Sequence, residues 1–485
     1  MSLPIMPTRV IIVGGGGREH ALAWKLANEP GVNRVVVAPG NPGIALEPRV
    51  ACVPAVHPLD AAAVVALARS EAAELAVIGP EAPLAAGLAD ELEAAGVPVF
   101  GPSSAAARIE TSKAFCREVA AAAGVPMARG AAFETAAEAV AFARELSADG
   151  QGCVVKLDGL AAGKGVSVCA DLEAAESAIR AAFEADGSAG AGVGIGLRTG
   201  VGTGAGARAD TGTAAVAAAA VDVGGHRRVI VEARLTGPEA SVIVLTDGSA
   251  VVTLPAARDH KRLSDGDRGP NTGGMGAFSP LPDLPDDQVS DLIERFHRPI
   301  LAELTRRGTP FRGALYAGLI LTPDGPRLLE CNARFGDPET QALLPRLGIA
   351  LGPLLLAAAE RRLAAAVRSL GLASMLLPTT RSSSVAIVLA AAGYPGSPRT
   401  GDAIDGLDTG AAGALVFHAG TSRDADGTWR TSGGRVLAVV GLGGDMEAAS
   451  DVADRAAGAI SFPGVQRRHD IGRALAASGT RGARS

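Results

Sequence analysis

The stretch Val154–Val168, VVKLDGLAAGKGVSV, decides how the chain is organised. A short apolar run leads into Lys156, and the alternation typical of a strand resumes at Val166. The loop between them carries three glycines and a second lysine, namely Gly159, Gly163, Lys164 and Gly165. Glycine lets backbone N–H groups approach an anion closely, and the lysines add positive charge. The stretch therefore predicts two strands joined by a cationic flap that covers a polyphosphate.

The flap does not match the commonest phosphate-binding loop. A Walker A loop reads G-x-x-x-x-G-K-[ST] between a strand and a helix, and its hydroxyl helps to hold Mg²⁺. Here the spacing is G-x-x-x-G-K, and Gly165 stands where the hydroxyl residue is needed. A surface hairpin with a small-residue turn is the alternative interpretation of this stretch taken alone.

Composition limits the class of protein. At 485 residues the chain is too long for one core, and roughly two to four domains are expected. A net charge of -6 argues against a nucleic-acid-binding surface. No segment approaches about 20 unbroken apolar residues, and the first residues lack the pattern of a signal peptide, so no membrane partner is expected. The five scattered cysteines form no C-x-x-C pair, which is typical of reduced thiols in a cytoplasmic protein.

The first hundred residues alternate strands and helices, which predicts a doubly wound parallel sheet. Ligands of such sheets lie beyond the carboxyl ends of the strands, which here carry GGGGREH, APGN and GPE. Glu19 or His20 occupies the position of the third glycine of a dinucleotide motif, and the second strand ends without an acidic residue. NAD binding is therefore disfavoured, whereas a helix start with glycines and Arg18 can still hold one phosphate.

Two further segments carry candidate chemistry. Glu330 and Asn332 lie two residues apart near a strand end, so both face one side and Cys331 the other. Their oxygens suit Mg²⁺ held together with phosphates, although a polar strand end that caps a turn is the plain alternative. Arg334 would share this face if the strand continued, and there it could neutralise a transferring phosphoryl group.

A polar, glycine-rich segment from Arg258 to Gly276 predicts a substrate loop rather than a simple connector, with an ordinary surface loop as the alternative. Its polar side chains are Asp259, His260, Lys261, Asp267, Asn271 and Thr272. In contrast, residues 187–225 are nearly all Gly, Ala, Val and Thr and are interpreted as a mobile insertion without an assigned function. A last unit begins near Ser384, and the final SGTRGARS is expected to be disordered.

Several stretches together resemble the phosphoribosylamine–glycine ligase family, also called glycinamide ribonucleotide synthetases. They include GGGGREHALAWKLA, APGNPG, GPEAPL, VVKLDGLAAGKGV, DHKRLSDGDRGPNTGGMGAFSP, NARFGDPETQ and FHAGT…TSGGRVL, in the family's order. The resemblance implies an α/β multidomain fold with an N-terminal doubly wound parallel sheet, a two-lobed ATP-grasp unit and a small C-terminal α/β domain. The implied domains are residues 1–108, 109–362 and 363–485, with the small lobe at about 128–235.

The resemblance also implies a reaction of purine biosynthesis. ATP, with Mg²⁺ or Mn²⁺, would phosphorylate the glycine carboxylate, and the amine of 5-phosphoribosylamine would displace phosphate to give glycinamide ribonucleotide. Glycine and 5-phosphoribosylamine would thus be the small-molecule partners, and a monomer or weak dimer is expected.

Matched to the family's motifs, the residues fall into four sets. ATP would be held by Lys113, Lys156, Gly159, Gly163, Lys164, Gly165, Glu232, Leu235 and Glu239, with Glu232 to Leu235 against adenine and Glu239 against the ribose. The metal would be held by Glu330 and Asn332. Arg334, Lys261 and Asp259 would act in catalysis. The substrates would be bound by Gly16, Gly17, Arg18, Glu19, Asn41, Glu81, Asn271, Thr272, Gly273 and Asp337.

The sequence departs from the family's pattern in three places. The insertion 187–225 is long, Ala233 and Arg234 replace a usual glutamate and aromatic residue beside adenine, and a further metal-binding carboxylate is missing from the strand around Tyr316. Two other classes of protein are alternatives. The glycine pattern and the missing acidic residue disfavour a Rossmann-type oxidoreductase, and a catalytically idle nucleotide-binding or regulatory protein would not need the set Lys156, Glu330, Asn332 and Arg334.

Overall fold

The computed structural model describes residues 5–160, 165–184, 228–372, 374–407 and 413–473. The insertion 187–225, Gly163, Lys164 and the C-terminal tail lie outside the described residues. The chain divides into two compact units. The small unit comprises Thr111–Arg117 and Ala128–Leu235, and the large unit comprises the rest.

The large unit begins with a five-stranded sheet in which every neighbouring pair is parallel, in the order β3-β2-β1-β4-β5. Its strands are β1 Arg9–Gly14, β2 Arg34–Pro39, β3 Val50–Cys52, β4 Leu75–Ile78 and β5 Val99–Phe100. Its helices are α1 Gly17–Ala27, α2 Ala61–Ser70, α3 Glu81–Ala85, α4 Leu88–Ala94 and α5 Ser104–Thr111, with a 3-10 turn at Ile44–Leu46. The predicted doubly wound sheet is confirmed. Gly87, with a left-handed φ of 86°, separates α3 from α4.

The small unit is a four-stranded antiparallel sheet in the order β6-β9-β7-β8. Its elements are β6 Gly130–Phe133, α7 Ala136–Leu146, β7 Cys153–Leu157, β8 Val166–Cys169, α8 Leu172–Glu184 and β9 Val229–Ala233, preceded by α6 Lys113–Ala122, which begins in this unit. Strands β7 and β8 pair directly, with Lys156 opposite Val166, which confirms the two predicted strands, whereas residues 161–164 of the flap between them lie outside the described residues. Apolar residues of α7 and α8 pack on this sheet and form its core.

The rest of the large unit contains two more sheets, in the orders β11-β10-β16-β17 and β12-β15-β18-β22-β19, and two hairpins. The strands are β10 Glu239–Thr246, β11 Val251–Thr253, β12 Arg258–Asp259, β13 Arg262–Ser264, β14 Arg268–Asn271, β15 Gly276–Ser279, β16 Gly313–Thr322, β17 Gly325–Asn332, β18 Ser383–Ala390, β19 Ala414–His418, β20 Thr421–Arg423, β21 Trp429–Thr431 and β22 Arg435–Gly443. The helices are α9 Asp286–Leu292, α10 Arg298–Arg306, α11 Glu339–Leu343, α12 Gly352–Ala359, α13 Leu363–Ser369 and α14 Met446–Ala459, with a π-helical turn at Ile293–His297 and a 3-10 turn at Leu344–Arg346.

The segment Arg258–Gly276, predicted as a substrate loop, contains four short strands or strand ends. Its ends are the strands β12 and β15, and its middle is the hairpin β13–β14. Strand β15 pairs with β18, so this segment completes the sheet of the C-terminal region. The sheet therefore draws strands from both sides of residue 363, the position at which the sequence predicted a domain boundary. In the part of the chain that the structure describes, no helix is long and apolar enough to cross a membrane.

Candidate active site

In the small unit, a buried carboxylate is held by two cations. Glu232 on β9 is 4% exposed, and its Oε2 lies 2.7 Å from Lys156 Nζ on β7. Its Oε1 accepts a hydrogen bond from Arg117 Nη1 at 2.8 Å. The side chain of Glu232 is thereby turned to these cations, and the contact with adenine implied for this residue would have to come from its backbone. Leu235, also assigned to adenine, is half-buried at the end of this unit.

The start of the flap is tied to the start of α6. Lys113 Nζ donates to Gly159 O at 2.7 Å, and Gly159 has a left-handed φ of 104°, which favours glycine. Asp158 accepts hydrogen bonds from the backbone of Ala114 and Gly159 and from the hydroxyl of Ser112, and it forms an ion pair with Arg228 at 3.1 Å. Sequence reasoning missed Asp158, although it stands inside KLDG. Gly165 is half-buried, and its carbonyl accepts from Leu157 N at 2.8 Å.

In the large unit, carboxylates gather around one lysine on the sheet that contains β10, β16 and β17. Lys261 Nζ lies 3.0 Å from Glu239 Oε2 and 3.7 Å from Glu330 Oε1. The strand register places these residues side by side across the sheet. Ser241 of β10 lies opposite Gly318 of β16, and Gly318 lies opposite Glu330 of β17. Gly318 leaves space there: a Cβ at this position would lie 3.2 Å from Glu330 Cγ.

This cluster carries an excess of negative charge. Burial, together with the carboxylates of Glu339, Glu239 and Glu330, raises the pKa of Asp259 to about 8, against the opposite effect of Lys261. Although burial lowers the pKa of Lys261, the surrounding carboxylates outweigh it and hold that pKa well above its ordinary value. Glu339, which sequence reasoning missed, accepts a hydrogen bond from Ser241 Oγ at 3.1 Å.

The donor set fits a divalent cation. Glu330 and Asn332 are half-buried on one face of β17, and Cys331 between them is buried, as the sequence predicted. Among the described residues there is no group of three or more His, Cys, Asp and Glu side chains arranged to hold a metal. Hard oxygen donors beside carboxylates that outnumber their shared lysine nevertheless suit Mg²⁺, which usually takes one or two carboxylates and fills its remaining positions with phosphate and water.

Strand β17 ends at Asn332, so the condition under which Arg334 would share the face of Glu330 and Asn332 is not met. Arg334 instead pairs with Glu110 at 3.0 Å and with Glu81 at 3.3 Å. Burial raises the pKa of Glu110, whereas the guanidiniums of Arg334 and Arg18 outweigh burial and lower the pKa of Glu81. Glu110 was missed because its partner lies more than two hundred residues further along the chain.

Asp337 is oriented by groups from α11 and from the C-terminal sheet. Its carboxylate accepts from Gln341 Nε2 at 2.7 Å and pairs with Arg435 Nη2 at 3.1 Å. Arg435 also donates to the carbonyls of Gly273 and Asp337. The N–H of Gly273 donates to Tyr394 OH at 2.9 Å. Arg435 and Tyr394 were not predicted as site residues, although both lie in stretches, GYPG and TSGGRVL, that resemble family motifs.

The start of α1 shows why Glu19 replaces a glycine. Glu19 accepts from Gly16 N at 2.7 Å and from Arg18 Nε at 2.6 Å, and Arg18 Nη1 also donates to Phe335 O. The carboxylate reaches across to β4, since a Cβ at Gly79 would lie 2.0 Å from Glu19 Oε1. A Cβ at Gly17 would lie 2.8 Å from Gln341 Nε2. The glycines here make room for side chains that tie the strand ends together.

Two predicted substrate residues use their side chains within the protein. Asn41 Nδ2 donates to Gly15 O and His418 O, and its Oδ1 accepts from the N–H groups of Gly43 and Ile44. The hydrogen-bonding capacity of this amide is therefore filled, and only the backbone of Asn41 is left for a substrate. The side chain of Thr272 likewise bonds to neighbouring backbone groups, whereas Asn271 is half-buried on β14.

Comparison of the sequence with models of known protein families shows to which family the chain belongs. Family models of phosphoribosylglycinamide synthetase match the N domain at residues 8–110, the ATP-grasp (A) domain at 111–198 and 195–340, and the C domain at 384–474. The chain belongs to the phosphoribosylglycinamide synthetase family. The family membership predicted from the motifs is thereby confirmed.

Curated relatives extend over nearly the whole chain. A phosphoribosylamine–glycine ligase of Streptomyces coelicolor is 45% identical over 467 residues, which are 96% of this chain and 98% of the relative. One from Caulobacter vibrioides is 44% identical over 471 residues, covering 96% and 97%. A trifunctional purine biosynthetic protein, adenosine-3, of Gallus gallus is 40% identical over 475 residues, which cover 97% of this chain and 43% of that protein.

Solved structures agree with the fold. The crystal structure of phosphoribosylamine–glycine ligase from Thermotoga maritima has a TM-score of 0.69 and 30% identity, covering 96% of this chain and all of that one. The biotin carboxylase domain of the Hydrogenobacter thermophilus 2-oxoglutarate carboxylase has a TM-score of 0.64 at 17% identity, covering 96% and 92%, and shows the shared fold alone. As a family member, the chain is an ADP-forming ATP-grasp ligase of purine biosynthesis that requires ATP and a divalent cation.

Proposed function

We propose that this chain joins glycine to 5-phosphoribosylamine at the expense of ATP, through a glycyl phosphate. A carboxylate oxygen of glycine attacks the γ-phosphorus of ATP, and ADP leaves. The amine nitrogen then attacks the carbonyl carbon, phosphate leaves, and the nitrogen gives up a proton. The observation that carries the proposal is the grouping of Glu239 and Glu330, 3.0 and 3.7 Å from Lys261, next to Asp259, because their negative charge suits the metal ion that accompanies a triphosphate.

The small unit supplies cations for the phosphates of ATP. Lys156 is aimed by Glu232, and Lys113 is aimed by the carbonyl of Gly159 at the start of the flap. The glycines of the flap let backbone N–H groups approach the phosphate oxygens. The backbone of Glu232 to Leu235 faces adenine in this proposal, because side-chain contacts from Ala233 and Arg234 are not the ones usual for the family.

The large unit supplies the metal ligands. Glu330 and Asn332 hold Mg²⁺ or Mn²⁺, which when bound neutralises charge that develops on the transferring phosphoryl group. Lys261 compensates the neighbouring carboxylates and adds a positive charge at the reacting centre, and Glu239 reaches the ribose. Arg334 is fixed by Glu110 and Glu81 so that its guanidinium is presented in one orientation.

The substrates are held by backbone groups and a few fixed side chains. The N–H groups at Gly16, Gly17 and Arg18, at the start of α1, suit the phosphate of the phosphoribosyl group. Asp337, oriented by Arg435 and Gln341, suits a cationic or hydrogen-bond-donating amine. Gly273 and Asn271, with Glu81, complete the proposed set.

We also propose domain limits, a compartment and an oligomeric state for this chain. The domain limits 1–108, 109–362 and 363–485 describe the family's architecture in this chain. The cytoplasm is the proposed compartment, since the five cysteines are all free. A monomer or weak dimer is the proposed state.

The test measures ADP release by the purified protein with glycine and 5-phosphoribosylamine supplied together or singly. Sustained release should require both substrates and a divalent cation. Release that accepts bicarbonate in place of glycine would point instead to chemistry of the kind named for the biotin carboxylase structures. No release with all substrates present would overturn the proposal.

A further inference from the structure

The tip of the hairpin β13–β14 has an unusual backbone. Gly266 and Asp267, two of the three residues between the paired Ser264 and Arg268, have φ values of 69° and 51°, both in the left-handed region. Hairpin turns commonly use this region, with glycine, asparagine or aspartate supplying it. An aspartate adopts this conformation at an energetic cost that its surroundings have to offset. The position of Asp267 is therefore held by contacts outside the turn.

Those contacts come from a segment near the C-terminus. Arg468, which is 0% exposed, donates from Nη1 to Asp267 Oδ1 at 2.6 Å and to Arg262 O at 3.2 Å. The other edge of its guanidinium binds Asp470 with two hydrogen bonds of 2.7 Å each. Asp470 in turn accepts from Gly266 N at 2.8 Å. The planar guanidinium of Arg468 thus donates to Asp267 from one edge and to Asp470 from the other, which a lysine ammonium cannot do.

The base of the same hairpin carries residues of the proposed reaction centre. The carbonyl of Lys261 accepts from Thr272 N at 2.7 Å and from Thr272 Oγ1 at 2.9 Å. Thr272 Oγ1 also accepts from Gly274 N at 3.0 Å. Lys261 and Gly273 are thus fixed to the two ends of one short hairpin, and a rotation of the hairpin would move both.

A side chain also connects the turn to this base. Asp267 Oδ1 lies 3.4 Å from Nδ1 of His260, the residue between Asp259 and Lys261. His260 Nε2 is buried and has no hydrogen-bond partner among the described residues. The turn is therefore linked to the strand end of Asp259 both along the hairpin and through His260.

We propose that Arg468 is a positioning residue for the ligase reaction: by fixing Asp267 it holds the hairpin that sets Lys261 and Gly273 in place. The inference rests on the proposed function, since it assigns no role to Arg468 apart from those residues. This role also accounts for the full burial of the Arg468 guanidinium, although Arg468 is far along the chain from the residues of the proposed site. A contact that served stability alone would leave the activity of the folded fraction unchanged.

The experiment compares Arg468→Lys, Asp267→Asn and the matched control Arg467→Lys in the full chain. Asparagine keeps the left-handed turn, and the side chain of Asp267 is largely exposed, so Asp267→Asn should fold normally. Arg467 instead contacts Asp454 on α14. We expect kcat with both substrates saturating to fall roughly 10- to 100-fold in Arg468→Lys, and in the same direction in Asp267→Asn, as for a misplaced reacting group. The KM for ATP should be unchanged in both variants, and the control Arg467→Lys should keep the kcat of the wild-type chain.

The outcomes are distinguishable. If the wild-type chain releases no ADP with both substrates, the proposed function fails and not the assignment of Arg468. If the wild-type chain is active and Asp267→Asn keeps its kcat, the positioning role is overturned. A loss in Arg468→Lys that disappears when rates are divided by the folded fraction, measured by circular dichroism in the same samples, would also overturn it.

Discussion

Removing the carboxylate of Glu232 tests how the small unit orients its cations. Glu232→Ala would leave Lys156 and Arg117, which lie 2.7 and 2.8 Å from the carboxylate, without their shared partner. All three side chains are largely buried, so water cannot replace the lost contacts at low cost. We expect the substitution both to destabilise the small unit and to release Lys156 from its orientation.

The magnitude follows from the geometry. At 2.7 Å and an effective dielectric constant of about 20, one charge pair is worth about 6 kcal/mol before desolvation. Measured losses on breaking a buried pair are lower, about 3–5 kcal/mol, and this is the destabilisation we expect for Glu232→Ala. Combining it with Lys156→Met should cost less than the sum of the single changes, because the second change removes one of the two charges that share this carboxylate.

Native-state hydrogen exchange of the β7 and β9 amides measures this stability within the unit. The exposed pair Arg129–Glu145 in the same unit is the control, and Glu145→Ala should change the free energy of unfolding far less. A loss below about 1 kcal/mol for Glu232→Ala, or strict additivity with Lys156→Met, would refute the reasoning.

Three further changes are predicted. Glu330→Ala should abolish turnover and leave the melting temperature nearly unchanged, because the side chain is half-exposed; activity that survives in a steady-state ADP assay would remove Glu330 from the metal site. Gly79→Ala should weaken 5-phosphoribosylamine binding and destabilise the chain by about 1–3 kcal/mol, because the new Cβ would displace Glu19, whereas Gly444→Ala meets nothing within 4 Å and should be neutral in the same denaturant titration. Burial lowers the pKa of His297 to about 4 from 6.5, so between these pH values the unfolded chain binds a proton that the folded chain does not; stability should fall as pH falls through this window, by up to about 3 kcal/mol, and His297→Gln should remove that slope from melts at pH 4 to 7.

Local patterns predicted much of the fold. The succession of strands and helices in the first hundred residues predicted the parallel sheet of β1 to β5, and the spacing of Glu330 and Asn332 predicted that Cys331 between them is buried. The flap hairpin followed from glycine spacing and valine alternation, since both are properties of neighbouring residues. These features need no knowledge of distant contacts.

Long-range contacts account for what the sequence did not show. The pairing of β15 with β18 joins segments about a hundred residues apart, and composition alone made that segment resemble a loop. Asn41 looks like a ligand-binding residue until its four partners are known, and one of them is His418 O. The residues next to Arg435 in the sequence do not indicate its role, because that role depends on Asp337 and Gly273 from other parts of the chain. The sequence could therefore identify polar residues as candidates, but it could not show whether each one contacts a substrate or another part of the protein.

The central claim is that this chain couples ATP cleavage to the joining of glycine and 5-phosphoribosylamine. The most direct measurement follows ADP and glycinamide ribonucleotide together in one reaction containing ATP, Mg²⁺ and both substrates. The account predicts equal amounts of the two products and loss of both when Glu330 is replaced by alanine. ADP formed without glycinamide ribonucleotide, or neither product from folded protein, would contradict it.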